Sequence, residues 1–158
     1  RWLLAHRRRD PPRDCHEAQP QEEVTAPDTP PMRSFLVYIA GPYRSDSESG
    51  VRRNIEAARQ LAESVWRAGM TAVCPHLNSA FMGGIVPDQA FLDGDLAILA
   101  RCDAMLLCPK WKESVGTRAE AGHAARLGIP SFYADEMTAL RNTAKRTVAA
   151  RSQKKETA

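Results

Sequence analysis

Four short apolar runs with no polar alternation are spaced along the chain, and stretches of helical periodicity lie between them. Phe35-Leu36-Val37-Tyr38-Ile39-Ala40 is β-branched, aromatic and continuous, the composition of a parallel strand covered on both faces. It stops at Gly41-Pro42-Tyr43-Arg44, and a polar loop from Ser45 to Gly50 follows. Val51, Ile55, Ala58, Leu61, Ala62 and Val65 then recur at helical spacing, with Gly69 as the closing residue. Thr71 to Cys74 predicts a second strand, ended by Pro75. The connection from Pro75 to Pro87 predicts no regular structure, and connections of that length in compact domains often carry function.

Asp88 is the expected N-cap of a helix over Gln89 to Arg101, and Met105 to Cys108 predicts a third strand. Ser114, Gly116 and Thr117 supply turn chemistry, after which Ala119 to Leu127 predicts a helix ending at Gly128. Ile129 to Ala134 gives a last strand, and Thr138 to Ala150 a last helix with a solvated basic face and an end frayed from Ser152. The order β-α-β-loop-α-β-α-β-α predicts a three-layer α/β sandwich around a parallel, flavodoxin- or Rossmann-like sheet of four to five strands. Its ligand site belongs at the C-terminal ends of the strands. Neither the dinucleotide fingerprint Gly-x-Gly-x-x-Gly nor a P-loop occurs.

Composition adds boundaries. Residues 1–31 hold six of the eleven prolines and few aliphatic side chains, which predicts a disordered leader before a domain over 32–136. Residues 137–158 carry six basic side chains and one acid, so the net charge of +3 comes from this tail. The remainder is balanced, which argues against a nucleic-acid-binding fold. No apolar run approaches the ~20 residues that span a bilayer. The opening residues lack a signal-peptide core, so a cytoplasmic protein is expected. Cys15, Cys74, Cys102 and Cys108 show no metal-ligand spacing and read as free thiols in a reducing compartment.

The candidate chemistry gathers around the third strand. Two readings compete for Glu120. It can close a capping box with Thr117, or it can be a carboxylate nucleophile kept ionised by the positive end of its helix. Asp95 falls among Leu92, Leu96, Ile98 and Leu99, an odd setting for a carboxylate. Asp95 and Glu120 as a pair would suit glycosidic chemistry, one attacking an anomeric carbon and the other moving a proton. Arg44 beside Gly41 offers a planar fork and close backbone approach to a phosphate, and Ser114 with the amides of Gly116 and Thr117 could hold the same anion. Tyr38 reads as core with a satisfied hydroxyl, His76 and Asn78 as weak candidates for base contacts, and Trp66 and Trp111 as packing.

Together these residues resemble the nucleoside 2-deoxyribosyltransferase superfamily, which includes 2'-deoxynucleoside 5'-monophosphate N-hydrolases and phage-type relatives. Tyr38-Ile39-Ala40-Gly41 matches its Tyr-x-x-Gly, Asp95 and Asp103 its aspartate pair, and Ser114, Gly116 and Glu120 its Ser-x-Gly-x-x-x-Glu. The Glu-x-Gly-x-Ala and Leu-Gly-x-Pro segments follow in order. The resemblance covers Phe35 to Ala134 and implies Glu120 as nucleophile, Asp95 as proton carrier, Tyr38 against the catalytic carboxylate, Arg44 toward a 5'-phosphate and Asp103 as structural. It also implies a homo-oligomer acting on a small nucleoside or nucleotide without a cofactor. Pro42 lacks an N–H donor and the Ser45–Gly50 segment is acidic, both departures from a phosphate cradle. The competing functions are a nucleotide-sensing module without turnover and a glycohydrolase of NAD or ADP-ribose-type molecules.

Overall fold

The computed structural model describes residue 32 and residues 34–156. The expected leader, residues 1–31, therefore lies outside the described residues, and Met32, the first residue of the expected domain, is buried in the core. Four strands, β1 (Leu36–Ala40), β2 (Thr71–Val73), β3 (Ala104–Leu107) and β4 (Ser131–Tyr133), form one sheet in the order β2-β1-β3-β4. All three pairings are parallel, with Tyr38 opposite Val73 on one side and Met105 on the other. Among the described residues there are also five α-helices: α1 (Glu48–Arg67), α2 (Pro75–Asn78), α3 (Asp88–Leu99), α4 (Val115–Arg126) and α5 (Met137–Glu156). The protein is a three-layer α/β sandwich.

The period of two in β1 and β3 sorts their side chains between the layers. Val37, Ile39, Ala104, Leu106 and Cys108 pack with Ala58, Ala62 and Val65 of α1 and Leu140 and Ala144 of α5. Tyr38, Ala40, Met105 and Leu107 face the other way, toward Leu99 at the end of α3 and Ala124 of α4. Both layers are dry around the two central strands, which explains why those strands read as unbroken apolar runs.

Two predicted glycine stops hold in detail. Gly69 (φ 84°) and Gly128 (φ 71°) take the left-handed conformation just past α1 and α4. After each, the next two amides fold back onto the helix: Gly69 to Trp66 and Met70 to Val65, Gly128 to Ala125 and Ile129 to Ala124. This is the Schellman arrangement, and its apolar contact is present, Met70 lying with Val65 in one core layer and Ile129 with Ala124 in the other.

Several element bounds differ from expectation. The connection after β2 begins with the short helix α2, because Pro75 occupies its first turn without needing an amide partner. Helix α1 starts inside the predicted polar loop, at Glu48, because the Ser47 hydroxyl accepts the Gly50 amide. Helix α5 continues to Glu156, past the predicted fray point. Arg151 holds it there, donating to both carboxylate oxygens of Asp103 and, at 3.3 Å, to the Ser34 carbonyl. Asp103 also accepts the Leu36 amide at 2.8 Å, so it ties the start of β1 to α5. Cys74, Cys102 and Cys108 are free thiols, and no helix among the described residues is long and apolar enough to cross a membrane.

Candidate active site

Alternation in β1 sends Tyr38 into the α3/α4 layer, where it is fully buried. A phenol there needs a hydrogen-bond partner, and its hydroxyl donates to Glu120 Oε1 at 2.7 Å. Glu120 reaches that position because it lies on the inward face of α4 with Thr117 and Ala124, at i−3 and i+4, and is 9% exposed. Asp95 is half-buried on α3, close enough for its charge to act on both Glu120 and Tyr38. A tyrosine and two acids from three separate elements thus share one environment.

That environment sets their protonation. Burial pushes the Glu120 carboxyl up to about 7; the Tyr38 hydroxyl opposes the rise and the charge of Asp95 adds to it. Burial alone lifts Asp95 to about 6. Tyr38 is held far above the usual phenol range, first by burial and then by the charge of Glu120. The Cys102 thiol beside this cluster is pushed up to about 11 by burial. The expectation that a helix end keeps Glu120 ionised is therefore overturned. Glu120 sits well inside α4, beyond the first turn where the helix dipole acts, and desolvation dominates.

The capping-box reading also fails. Ser114, not Thr117, caps α4: its Oγ accepts the Thr117 amide at 3.2 Å, and the helix begins at Val115. The sharp turn after β3 is made by Lys110 in the left-handed region (φ 62°) and a single 3-10 turn over Trp111–Glu113. Ser114 and Gly116 thus belong to the cap and first turn of a helix rather than to a loop. The Thr117 amide is committed to the cap, whereas Val115 and Gly116 stay outside the intrahelical ladder. The Thr117 hydroxyl is buried and has no partner, one turn before Glu120 on the same face.

The loop after β1 differs more. Gly41 is buried, and a Cβ there would come within 2.6 Å of both Cβ and Sγ of Cys108. The glycine is required by packing between the ends of β1 and β3. The Arg44 guanidinium pairs with Asp88 at the start of α3, and both side chains are exposed. His76 does not point free from a loop: it is buried, and its Nε2 donates to the Pro42 carbonyl at 3.0 Å. Burial lowers its pKa, which keeps the imidazole neutral near pH 7. Asn78 lies exposed at the end of α2.

Sequence reasoning missed the contacts of Tyr43 and Asn54, and Asp88, the expected N-cap of α3, is instead its first residue after Pro87. Tyr43 accepts the Phe81 amide at 3.0 Å, and Asn54 donates to the Tyr43 and Arg44 carbonyls, each at 3.2 Å. These pairings join the loop after β1 to α1 and to the 75–87 connection. No local pattern marks them, because the partners are distant in sequence. Among the described residues, no three His, Cys, Asp or Glu side chains come together as metal ligands.

Fold and cluster define a class: a parallel three-layer α/β protein with a buried tyrosine–carboxylate pair beneath the C-terminal ends of its strands. Within that class residues 35–134 match the family described as Domain of unknown function (DUF7768), and the chain belongs to it. No curated protein matches the chain. Solved structures similar to it include two deoxyribosyltransferases. One is a 2-deoxyribosyltransferase from the psychrotolerant bacterium Bacillus psychrosaccharolyticus, with 20% identity and a TM-score of 0.47, over 62% of this chain and 70% of that one. The other is a 2-desoxiribosyltransferase from Leishmania mexicana, with 21% identity and a TM-score of 0.45, over 63% of each chain.

Proposed function

We propose that the protein cleaves the N-glycosidic bond of a 2'-deoxynucleoside or its 5'-monophosphate, with Glu120 as nucleophile and hydrolysis favoured over base exchange. The observation that carries this reading is the buried 2.7 Å bond from the Tyr38 hydroxyl to Glu120, with Asp95 acting on both groups. Glu120 attacks C1' as the bond to the base nitrogen breaks, and Asp95 supplies the proton that leaves with the base. Water then attacks C1' of the glycosyl ester as its bond to Glu120 breaks, its proton returning to Asp95 and Glu120 leaving as the carboxylate.

Two acids raised to about 6 and about 7 share one proton near neutrality. The working form carries that proton on Asp95 and the charge on Glu120. The Tyr38 hydrogen bond stabilises the charged Glu120 carboxylate and so narrows, without reversing, the proton's preference for Glu120, the weaker acid of the two; the working form is drawn from the minor one-proton species. Arg44 serves a 5'-phosphate only after leaving Asp88.

Incubation with a panel of deoxynucleosides and their 5'-monophosphates, with chromatographic identification of products, tests the reading. Free base should appear, Glu120→Gln should lower the rate by roughly three orders of magnitude or more, and Asp95→Asn by about 10²–10⁴-fold. Undiminished release by Glu120→Gln removes Glu120 from the mechanism, and calorimetric binding with no release favours a sensing module. The resemblance also implies self-association. The exposed apolar side chains Leu77, Phe81, Met82, Ile85 and Val86 near the rim support it, and light scattering after gel filtration measures it.

A further inference from the structure

Helix α5 begins directly beyond β4, at the same end of the sheet as the loops around the candidate active site but on the opposite layer. Its inward stripe is Met137, Leu140, Ala144 and Val148. Beside that stripe, Thr138, Arg141, Asn142 and Lys145 line a concavity of about 240 Å³. Every lining side chain offers hydrogen-bond donors, two of them charged, and none is acidic. Arg141 is the odd arginine among the described residues. Every other arginine among the described residues holds a hydrogen bond or ion pair. Arg141 holds none, although its Nε is buried and its side chain half-covered. A buried guanidinium nitrogen without an acceptor is costly, and an unpartnered group of this kind calls for one.

We propose that this concavity is an anion site for a phosphate monoester or diphosphate group, separate from the Tyr38–Glu120 cluster. Arg141 and Lys145 supply charge, and Thr138 and Asn142 donate to the remaining oxygens. The four positions fall at i, i+3, i+4 and i+7, so one helix presents the whole set and no rearrangement between elements is needed to assemble it. The site requires no catalysis, so it stands or falls independently of the proposed glycosidic activity.

Titration calorimetry of the full chain with pyrophosphate and with inorganic phosphate, at constant ionic strength, tests the assignment. Saturable binding is expected, and Arg141→Gln and Lys145→Glu should each weaken it about tenfold, the loss of one charge-assisted contact. Arg44→Gln should leave it unchanged, which separates this site from any phosphate held near Glu120. Arg146→Glu, on the same helix but outside the concavity, makes the same charge change and should have little effect. Lys145 is exposed, so Lys145→Glu decides the matter if Arg141→Gln fails to fold. No saturable binding, binding abolished by Arg44→Gln, or equal weakening by Arg146→Glu would each overturn the proposal.

Discussion

Glu120 places a carboxyl group in an apolar layer with one phenol hydroxyl as its recorded hydrogen-bond partner. Its folded pKa, about 7, lies above the unsited value of 4.5. The folded state therefore binds this proton more tightly than the unfolded chain. The resulting stability is complete below about 4.5 and disappears as pH rises through about 7. The contribution is up to roughly 3 kcal/mol. Urea denaturation across this interval should show stability falling with pH, and Glu120→Gln should flatten that slope. Tyr38→Phe removes the one contact that lowers the Glu120 pKa, so the acid limb of kcat/KM should move to higher pH; an unmoved limb would show that Tyr38 does not tune Glu120. Both acids were legible as candidates from their spacing and from the apolar company of Asp95. Their protonation was not, because it depends on how far each is buried, which no local pattern encodes. His76 shows the same limit, since its partner Pro42 lies 34 residues away.

At the scale of elements, the boundaries that sequence reads well are those fixed by backbone conformation. Gly69 and Gly128 mark helix ends because the left-handed conformation is nearly free for glycine. The start of α4 was read four residues late because Ser114 and Thr117 are both acceptable caps, and the choice depends on where the preceding turn releases the chain. That turn uses Lys110, a residue with a Cβ in the left-handed region. Lys110→Gly should therefore stabilise the protein, by about 1 kcal/mol, read as an increase in the denaturation midpoint. Ser114→Ala should destabilise it by about 1 kcal/mol. It should also loosen the first turn of α4, detected as faster amide exchange at Thr117. If exchange there is unchanged, Ser114 is not the cap in solution.

At the scale of the molecule, the last helix was expected to carry a solvated basic face, and its Lys145, Arg146 and Lys154 are exposed, but its other face makes α5 half of one outer layer. Composition hid this, because the apolar stripe is only Met137, Leu140, Ala144 and Val148 in a helix of 20 residues, and the charges dominate the count. Asp103 fastens the far end, and its two duties differ in strength. Arg151→Ala removes an ion pair that is exposed on its arginine side but largely covered on its aspartate side, worth about 1 kcal/mol. Asp103→Ala also strips the Leu36 amide of its acceptor, which costs about 1–3 kcal/mol more. Urea midpoints that rank the two variants the other way would contradict this division.

The seating of Leu140 and Ala144 against Ile39 and Leu106 has a practical corollary for dissecting the protein. A fragment trimmed to the family match would end at residue 134 and leave half of one sheet surface naked. Such a fragment should bind a hydrophobic dye and precipitate on concentration, while supplying residues 137–156 as a separate peptide should rescue it.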